Sequence, residues 1–453
     1  MPSILESRLL HDRESQQKAE EYVESLAAIK ASDDEMSMVN SVIDAISQMF
    51  KERIATEGIT SEVRNAITMQ VEKEITSLPL DYEKRSRVKR LVLTSMFGLG
   101  PLEPYLKEGS TVTDIIVQRY DSICIEDHTG MHRVPAQFNN EQHLVNVIQR
   151  IVQDAGRQIN LSSPTVDARL RDGSRVHATI PPVSPDGATL TIRRFNTRKL
   201  DAEDYISLGT MSEDMLNFLD ACVKARLNII VTGGTGSGKT TLLNMLSSFI
   251  PENELIVTVE DDCELQLRQP NVRRLQAREA MGDIAAIDIQ ALVKETLRMR
   301  PDRIIVGEVR DGTVVDMFSA MSTGHEGSMS TIHTDSPEAL VGSRLPTLFS
   351  QYKGGSFTRD TQVYMTAEAL QLVVQISRKK NGRRRITHIT AVEGLDERGN
   401  IRLVDIFRHN EKTDTFSIVG APTSAILDKM ANMHVEYDAK PFKSLMQGGG
   451  TYD

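Results

Sequence analysis

The stretch Val231-Thr232-Gly233-Gly234-Thr235-Gly236-Ser237-Gly238-Lys239-Thr240-Thr241 constrains the chain more than any other. It carries the pattern G-x-x-x-x-G-K-[ST], preceded by a short, largely apolar run from Asn228 and followed by Leu242, Leu243, Met245 and Leu246. A strand, a phosphate-wrapping loop and a helix start account for that order together. Glycines at 233, 236 and 238 let the backbone turn its N–H groups inward, and a helix N-terminus adds positive potential. A polyphosphate is the ligand such a loop suits, held by residues 233 to 241. In that geometry Lys239 reaches the β- and γ-phosphates and the Thr240 hydroxyl sits on Mg²⁺. The competing reading, a Gly-rich turn with a lysine in it, leaves both flanks unexplained.

At 453 residues the chain is too long for one ordinary domain, and about 150 residues per domain suggests two to four. Hydrophobic content of 40% and charged content of 26% exclude a disordered or fibrous chain. A net charge of −10 argues against a general nucleic-acid binder, whose footprint is basic. No apolar run approaches the roughly 18 residues of a membrane span, and the opening MPSILESRLLHDRE lacks a signal-peptide core, so a cytoplasmic protein is expected. Cys124, Cys222 and Cys263 are far apart, which indicates neither a disulfide framework nor a zinc site.

Up to about residue 80 the chain reads as helical. Val39, Val42, Ile43, Ile46, Phe50 and Ile54 recur at three- and four-residue steps, as do Val63, Ala66, Ile67, Val71 and Ile75. This segment holds 15 Asp and Glu against 8 Lys and Arg, most of the chain's negative balance. It is either an acidic docking bundle or the solvated face of a small helical one. A further helix through Val88, Leu91, Val92 and Met96 must end at Phe97-Gly98-Leu99-Gly100-Pro101-Leu102-Glu103-Pro104. Strands are then read at 113–117 and 122–126, a helix at about 141–154, and strands near 165–170, 175–180 and 188–194, with 196 to about 207 as an exit linker. Arg169, Arg171, Arg175, Arg193 and Arg194 stand out in this α+β region. They are either surface ion pairs or a phosphate clamp offered to a nucleotide.

Beyond the loop, the runs 255–261 and 303–308 end in Glu260-Asp261 and Glu308. Continuous apolar strands belong to a parallel sheet covered on both faces, and ligands bind at the carboxyl ends of such strands. Acids there hold Mg²⁺ and orient water; otherwise they cap helices or face solvent. His325 and His333 lie in Met321-Ser322-Thr323-Gly324-His325-Glu326-Gly327-Ser328-Met329-Ser330-Thr331-Ile332-His333-Thr334 without a third ligand at metal spacing. They read as γ-phosphate sensors or as core histidines, while Met317, Met321 and Met329 read as core filler. From about Gln371 the tail reads as antiparallel strands at 372–377, 385–392, 401–407 and 415–419. Residues 378 to 385 hold six basic side chains in eight, a solvated hairpin tip, a surface for an acidic partner, or a nucleic-acid contact. The end, 447–453, is expected to be disordered.

Taken together, these blocks resemble the ATPases of type II and type IV secretion machines, closest to the CpaF-type Flp/Tad pilus assembly ATPases. The resemblance runs from about Gly98 to Gly420. It rests on FGLGPLEP, on Val166-Asp167-Ala168-Arg169-Leu170 with Asp172-Gly173-Ser174-Arg175-Val176, on Thr191-Ile192-Arg193-Arg194-Phe195, on the phosphate loop, on Thr258-Val259-Glu260-Asp261, on Gly307-Glu308-Val309-Arg310, and on the histidine block. Asp311 after Arg310 departs from the small residue common in the CpaF branch, and the four-cysteine module of pilus extension ATPases is absent. The resemblance implies an α/β fold: a RecA-like P-loop ATPase domain (201–453), a preceding α+β, PAS-like domain supplying arginines (86–200), and an N-terminal helical bundle (1–85). It implies ATP and Mg²⁺ as ligands and a homo-hexamer acting through an inner-membrane platform protein, peripheral to that membrane, with no sequence-specific nucleic acid. By position, Glu308 would polarise the attacking water, and Glu260 would hold Mg²⁺ or that water. His325 and His333 would read the γ-phosphate, and Arg175 with Arg193 or Arg194 would clamp the phosphates. The activity implied is ATP-driven pilus assembly, retraction or protein secretion. The alternatives are a conjugation ATPase and a nucleotide-gated adaptor with little turnover.

Overall fold

The computed structural model describes residues 33–57, 61–107, 109–127, 130–170, 172–194, 200–278, 280 and 285–442. Expectations for residues 1–32, Arg171, the linker at 195–199 and the end at 443–453 lie outside them. The chain divides into two compact units, 1–196 and 197–453.

The first unit opens with α1 (Asp33–Glu57), α2 (Ser61–Ser77) and α3 (Tyr82–Phe97). The apolar stripes read from the sequence meet in one core of Val39, Val42, Ile46, Val63, Ile67, Val71, Ile75, Val88 and Val92; Asp44, Glu62 and Glu72 face outward, while Glu35 is buried beside Arg87. Asp81 caps α3 by accepting from Lys84 N at 2.8 Å. A six-stranded antiparallel sheet follows in the order β3-β2-β1-β6-β5-β4: β1 Asp114–Arg119, β2 Ser122–Asp127, β3 Gly130–Val134, β4 Thr165–Arg169, β5 Arg175–Thr179 and β6 Thr189–Arg193. Apart from the added β3, this is a PAS-like order. β3 escapes the sequence reading because its side chains are half-buried or exposed and show no apolar alternation. Helix α4 (Glu141–Asp154) lays Leu144, Val147, Ile148, Ile151 and Val152 into the sheet core. From α4 the Arg150 guanidinium donates to Met96 O and Gly98 O, both at 2.9 Å, so it ties off the carbonyl end of α3.

The second unit is built on one nine-stranded sheet in the order β15-β14-β13-β12-β7-β11-β10-β8-β9. Its strands are β7 Ile229–Gly233, β8 Ile256–Glu260, β9 Val272–Gln276, β10 Arg303–Val306, β11 Met329–His333, β12 Leu372–Arg378, β13 Arg384–Leu395, β14 Ile401–Asn410 and β15 Thr415–Ile418. From β12 to β9 all neighbours run parallel, and from β12 to β15 all run antiparallel. The order β12-β7-β11-β10-β8 around the loop-bearing strand is the RecA-like core. The tail hairpins therefore extend the same sheet, since β12 pairs with β7 as well as with β13.

Side-chain alternation explains the continuous apolar runs. Ile229 and Val231 of β7 enter one core and Ile230 the other, while Leu372, Val374 and Ile376 of β12 enter the first and Val373 the second. Each such side chain, fully buried, contributes about 1.5–3 kcal/mol. Met317, Met321 and Met329 are core residues, at most 1% exposed.

The stretch expected as an exit linker holds a helix instead, α5 (Ala202–Ser207), closed by a capping box between Asp201 and Asp204 and anchored by buried Tyr205. Further helices are α6 (Glu213–Lys224), α7 (Lys239–Ser247), α8 (Ile289–Thr296), α9 (Thr313–Ser322), α10 (Arg359–Ala369) and α11 (Ser424–Asn432).

Candidate nucleotide site

The phosphate loop joins the carboxyl end of β7 to α7. Gly236 (φ 68°) and Gly238 (φ 96°) occupy left-handed backbone that a side chain disfavours, and Gly238 is the residue on which α7 begins. A Cβ on Gly233 would collide with Ile376 O and Ser237 Oγ, so this glycine lets the loop pack onto β12. Lys239 Nζ donates to Gly234 O at 3.0 Å, folding the lysine over the loop. Burial lowers the lysine's pKa, Glu308 nearby opposes that, and Arg310 adds to it. Thr240 stands in the first turn of α7, half-buried.

The acids arrive from the strands on one flank of β7. Glu308 follows β10 by two residues, held in plane by Thr331 Oγ1 donating to Gly307 O (2.8 Å) and by Val309 N donating to Thr331 O (2.9 Å). Its carboxylate accepts from Arg310 Nε (2.9 Å) and Nη2 (2.6 Å), and Arg310 also reaches Asp261 at 3.5 Å. Asp311, the residue that departs from the resembling branch, accepts from Thr313 N at 2.9 Å and from Thr313 Oγ1, bracing the first residue of α9.

Glu260 is the last residue of β8 and only 2% exposed. Its Oε2 accepts from Glu264 N (2.7 Å) and Leu265 N (2.9 Å), whereas its Oε1 is buried with no hydrogen-bond partner. Burial pushes its pKa up to about 7, the two backbone N–H groups opposing the rise. The carboxylate lies against Gly307, where a Cβ would stand 3.0 Å from Glu260 Cγ. A buried carboxylate oxygen without a partner suits a hydrated cation, and Mg²⁺ asks for only one or two protein ligands besides phosphate oxygens and water.

The two histidines part company. β11 runs parallel to β7 with His333 opposite Gly233, which sets His333 at the start of the loop. His325 comes four residues before β11 starts, in the turn that enters that strand, which sets it at the amino edge of the sheet beside the entry to β10. There its Nδ1 lies 3.1 Å from Pro301 O, and its own carbonyl accepts from Ser328 Oγ at 2.7 Å. This edge is a separate network. Arg303, fully buried, pairs with Glu254, and Asn228 Oδ1 accepts from Gly327 N (2.7 Å) and Ser328 N (3.1 Å).

In the first unit, register pairs Arg169 with Arg175, Arg175 with Arg193, and Arg193 with Asp114. Residues paired across strands share a face, so β4, β5 and β6 carry a row of guanidinium groups ended by one carboxylate. Arg193 is exposed and stands 3.9 Å from Asp114. Arg194 points elsewhere: its guanidinium donates to Lys107 O (2.9 Å), Ser110 O (3.0 Å) and Val112 O (3.3 Å), and burial lowers its pKa. It is committed to its own domain's loop.

The phosphate loop at the carboxyl edge of a RecA-like sheet, with acids and a histidine on neighbouring strands, defines a P-loop nucleotide-binding protein. More narrowly, the chain belongs to the type II/IV secretion system protein family, whose model matches residues 96–404. It is 35% identical over 325 residues to a putative conjugal transfer protein of Mycobacterium tuberculosis, covering 70% of this chain and 90% of that one. It is 28% identical over 334 residues to the type IV secretion system protein VirB11 of Bartonella quintana, covering 66% and 92%. Among solved structures, the VirB11 ATPase of the Brucella suis type IV secretion system, in complex with sulphate, is 26% identical, with 65% and 94% covered and a TM-score of 0.36.

Proposed function

We propose that this chain is an ATP-hydrolysing motor subunit of a secretion or pilus machine. The observation that carries the reading is the convergence at one sheet edge of the loop after β7, Glu260 at the end of β8, Glu308 after β10 and His333 at the end of β11. Loop N–H groups and Lys239 bind the polyphosphate, and His333 donates to the γ-phosphate. Glu308 leaves Arg310 to orient the attacking water. Thr240 and the unpartnered oxygen of Glu260 hold Mg²⁺, which when bound neutralises charge on the β- and γ-phosphates. Phosphoryl transfer needs little covalent chemistry from the protein, so positioning and charge supply the catalysis. Arg175 and Arg193 are assigned to phosphate by resemblance, and Arg193 is preferred over the loop-bound Arg194.

A homo-hexamer working in the cytoplasm on an inner-membrane platform protein completes the proposal. The resemblance favours a Flp/Tad-type pilus. The relatives named for conjugal transfer and type IV secretion favour DNA or protein transfer as a second reading. Neighbouring genes separate the two: prepilin and platform protein, or relaxase and coupling protein. Steady-state phosphate release decides between motor and adaptor. Turnover well above that of Glu308→Gln supports the motor, and tight ATP binding without such turnover overturns it.

A further inference from the structure

One buried glutamine joins the strand that carries the phosphate loop to the segment that carries His333. The β7–β11 ladder ends at the pair Gly233–His333, where β7 turns into the loop, and β10 pairs with β11 only as far as Ser330. The next two carbonyls of the chain are held from β12, on the far side of β7. Gln375 Nε2 donates to Thr334 O at 3.3 Å and to Asp335 O at 3.2 Å. Its Oε1 accepts from the hydroxyl of Thr232, the register neighbour of Gln375 on β7 and the residue before Gly233. Thr232, Thr334 and Gln375 are all buried. Both ends of the amide are thus satisfied, as burial requires. β12 bears on the loop further along as well: in its hairpin with β13, which carries the six-in-eight basic segment, Arg384 Nη2 donates to Gly236 O at 3.4 Å.

At 1% exposure Gln375 is covered and meets no nucleotide, so it acts through what it holds. His333, by contrast, is exposed, and its aim is set by the backbone on either side of it. The ladder with β7 fixes that backbone up to His333, and the amide of Gln375 fixes it immediately after. A ligand-reading side chain supported on both sides loses less freedom when its ligand arrives. We propose that Gln375 is a positioning residue that sets His333 relative to the phosphate loop, so that preference for a nucleoside triphosphate over a diphosphate depends on a side chain that touches neither. The inference rests on the assignment of His333 to the γ-phosphate in the proposed function.

Equilibrium binding of a non-hydrolysable ATP analogue and a fluorescent ADP to the full chain tests it. Gln375→Met, which keeps the length and removes both polar ends, weakens the ATP analogue by about tenfold and spares ADP, the loss expected for one bond to a charged group. In the double variant with His333→Ala the loss is no greater than for His333→Ala alone, because the glutamine acts through the histidine. Gln371→Met supplies the control for lost stability: it removes a glutamine clasp on Asn228 N (2.8 Å) at the opposite edge, and it lowers the melting temperature without changing the ATP-to-ADP ratio. If Gln375→Met does not melt cooperatively, Thr232→Val poses the same question with a smaller change, and it shifts the ratio in the same direction by about threefold. Equal weakening of both nucleotides overturns the proposal, as do losses that multiply in the double variant and a comparable ratio change in Gln371→Met. An unchanged ratio in Gln375→Met while His333→Ala loses the ATP analogue removes the positioning role alone. An unchanged ratio in His333→Ala, or a cooperatively melting wild type that binds neither nucleotide, brings down the reading on which the inference rests.

Discussion

Replacing Glu260 by glutamine isolates a buried ionisation. In the folded nucleotide-free protein its pKa is pushed from the ordinary 4.5 to about 7, chiefly by burial. A carboxyl with a raised folded-state pKa holds its proton in the native state through a pH range where the unfolded chain has released it. Stability from this residue is therefore fully present below about pH 4.5 and is lost as pH rises through about 7, the reverse of a salt-bridged carboxylate. A displacement of that size corresponds to about 3 kcal/mol, and at 2% exposure solvent screening discounts it little. Glutamine keeps an oxygen for Glu264 N and Leu265 N but puts an NH₂ where Oε1 stands, a fixed cost of about 1–3 kcal/mol. The pH dependence of the difference is thus the readout. Urea unfolding of both proteins at pH 5 and pH 8, without nucleotide, should show the variant gaining about 2–3 kcal/mol on the wild type at the higher pH. A difference that stays flat across this range would falsify the buried-carboxyl account and, with it, the suitability of Oε1 for a cation.

Six further substitutions probe the neighbouring assignments. His333→Ala weakens binding of an ATP analogue by about tenfold while sparing ADP, as loss of one bond to a charged group does, whereas His325→Ala lowers the melting temperature and spares the ATP-to-ADP ratio; calorimetric titration reads both. Arg175→Ala and Arg193→Ala reduce turnover with unchanged melting, and Arg194→Ala lowers melting because three carbonyls lose their donor; wild-type turnover in the first two removes them from the phosphate clamp. Gly312→Val forces a side chain onto the Tyr352 backbone, whose N stands 2.6 Å from the added Cβ, and should cost about 1–3 kcal/mol by denaturant titration.

What the sequence made legible follows from which signals are local. Strands β8, β10 and β12 announce themselves because both faces are buried along most of their length and the runs Ile256-Val257, Ile304-Ile305-Val306 and Leu372-Val373-Val374 are continuously apolar. Helix α4 matches its expected span because its stripe is complete and Asn140 caps it. β9 and β3 were invisible because their exposed side chains carry no period. Helices α6, α8, α10 and α11 went unread although Ser212, Asp288, Thr358 and Thr423 each cap one, a signal that a search for capping residues would have found. Within the site, eight residues of spacing placed His325 and His333 in one motif, but only the parallel register of β11 shows that they lie at opposite edges. The basic hairpin was legible as charge. Its seat on the phosphate loop depends on β12 pairing with β7 across more than 130 residues of chain, which no local pattern records.

The central claim is that the sheet edge around Lys239 and Glu308 hydrolyses ATP, and a single-turnover measurement tests it most directly. Protein in excess over radiolabelled ATP and Mg²⁺ is quenched at intervals, and bound ATP and ADP are separated. The account predicts that the wild type converts its bound ATP to ADP, that Glu308→Gln binds ATP and retains it unhydrolysed, and that Lys239→Ala retains little of either. Conversion by Glu308→Gln at the wild-type rate would contradict it.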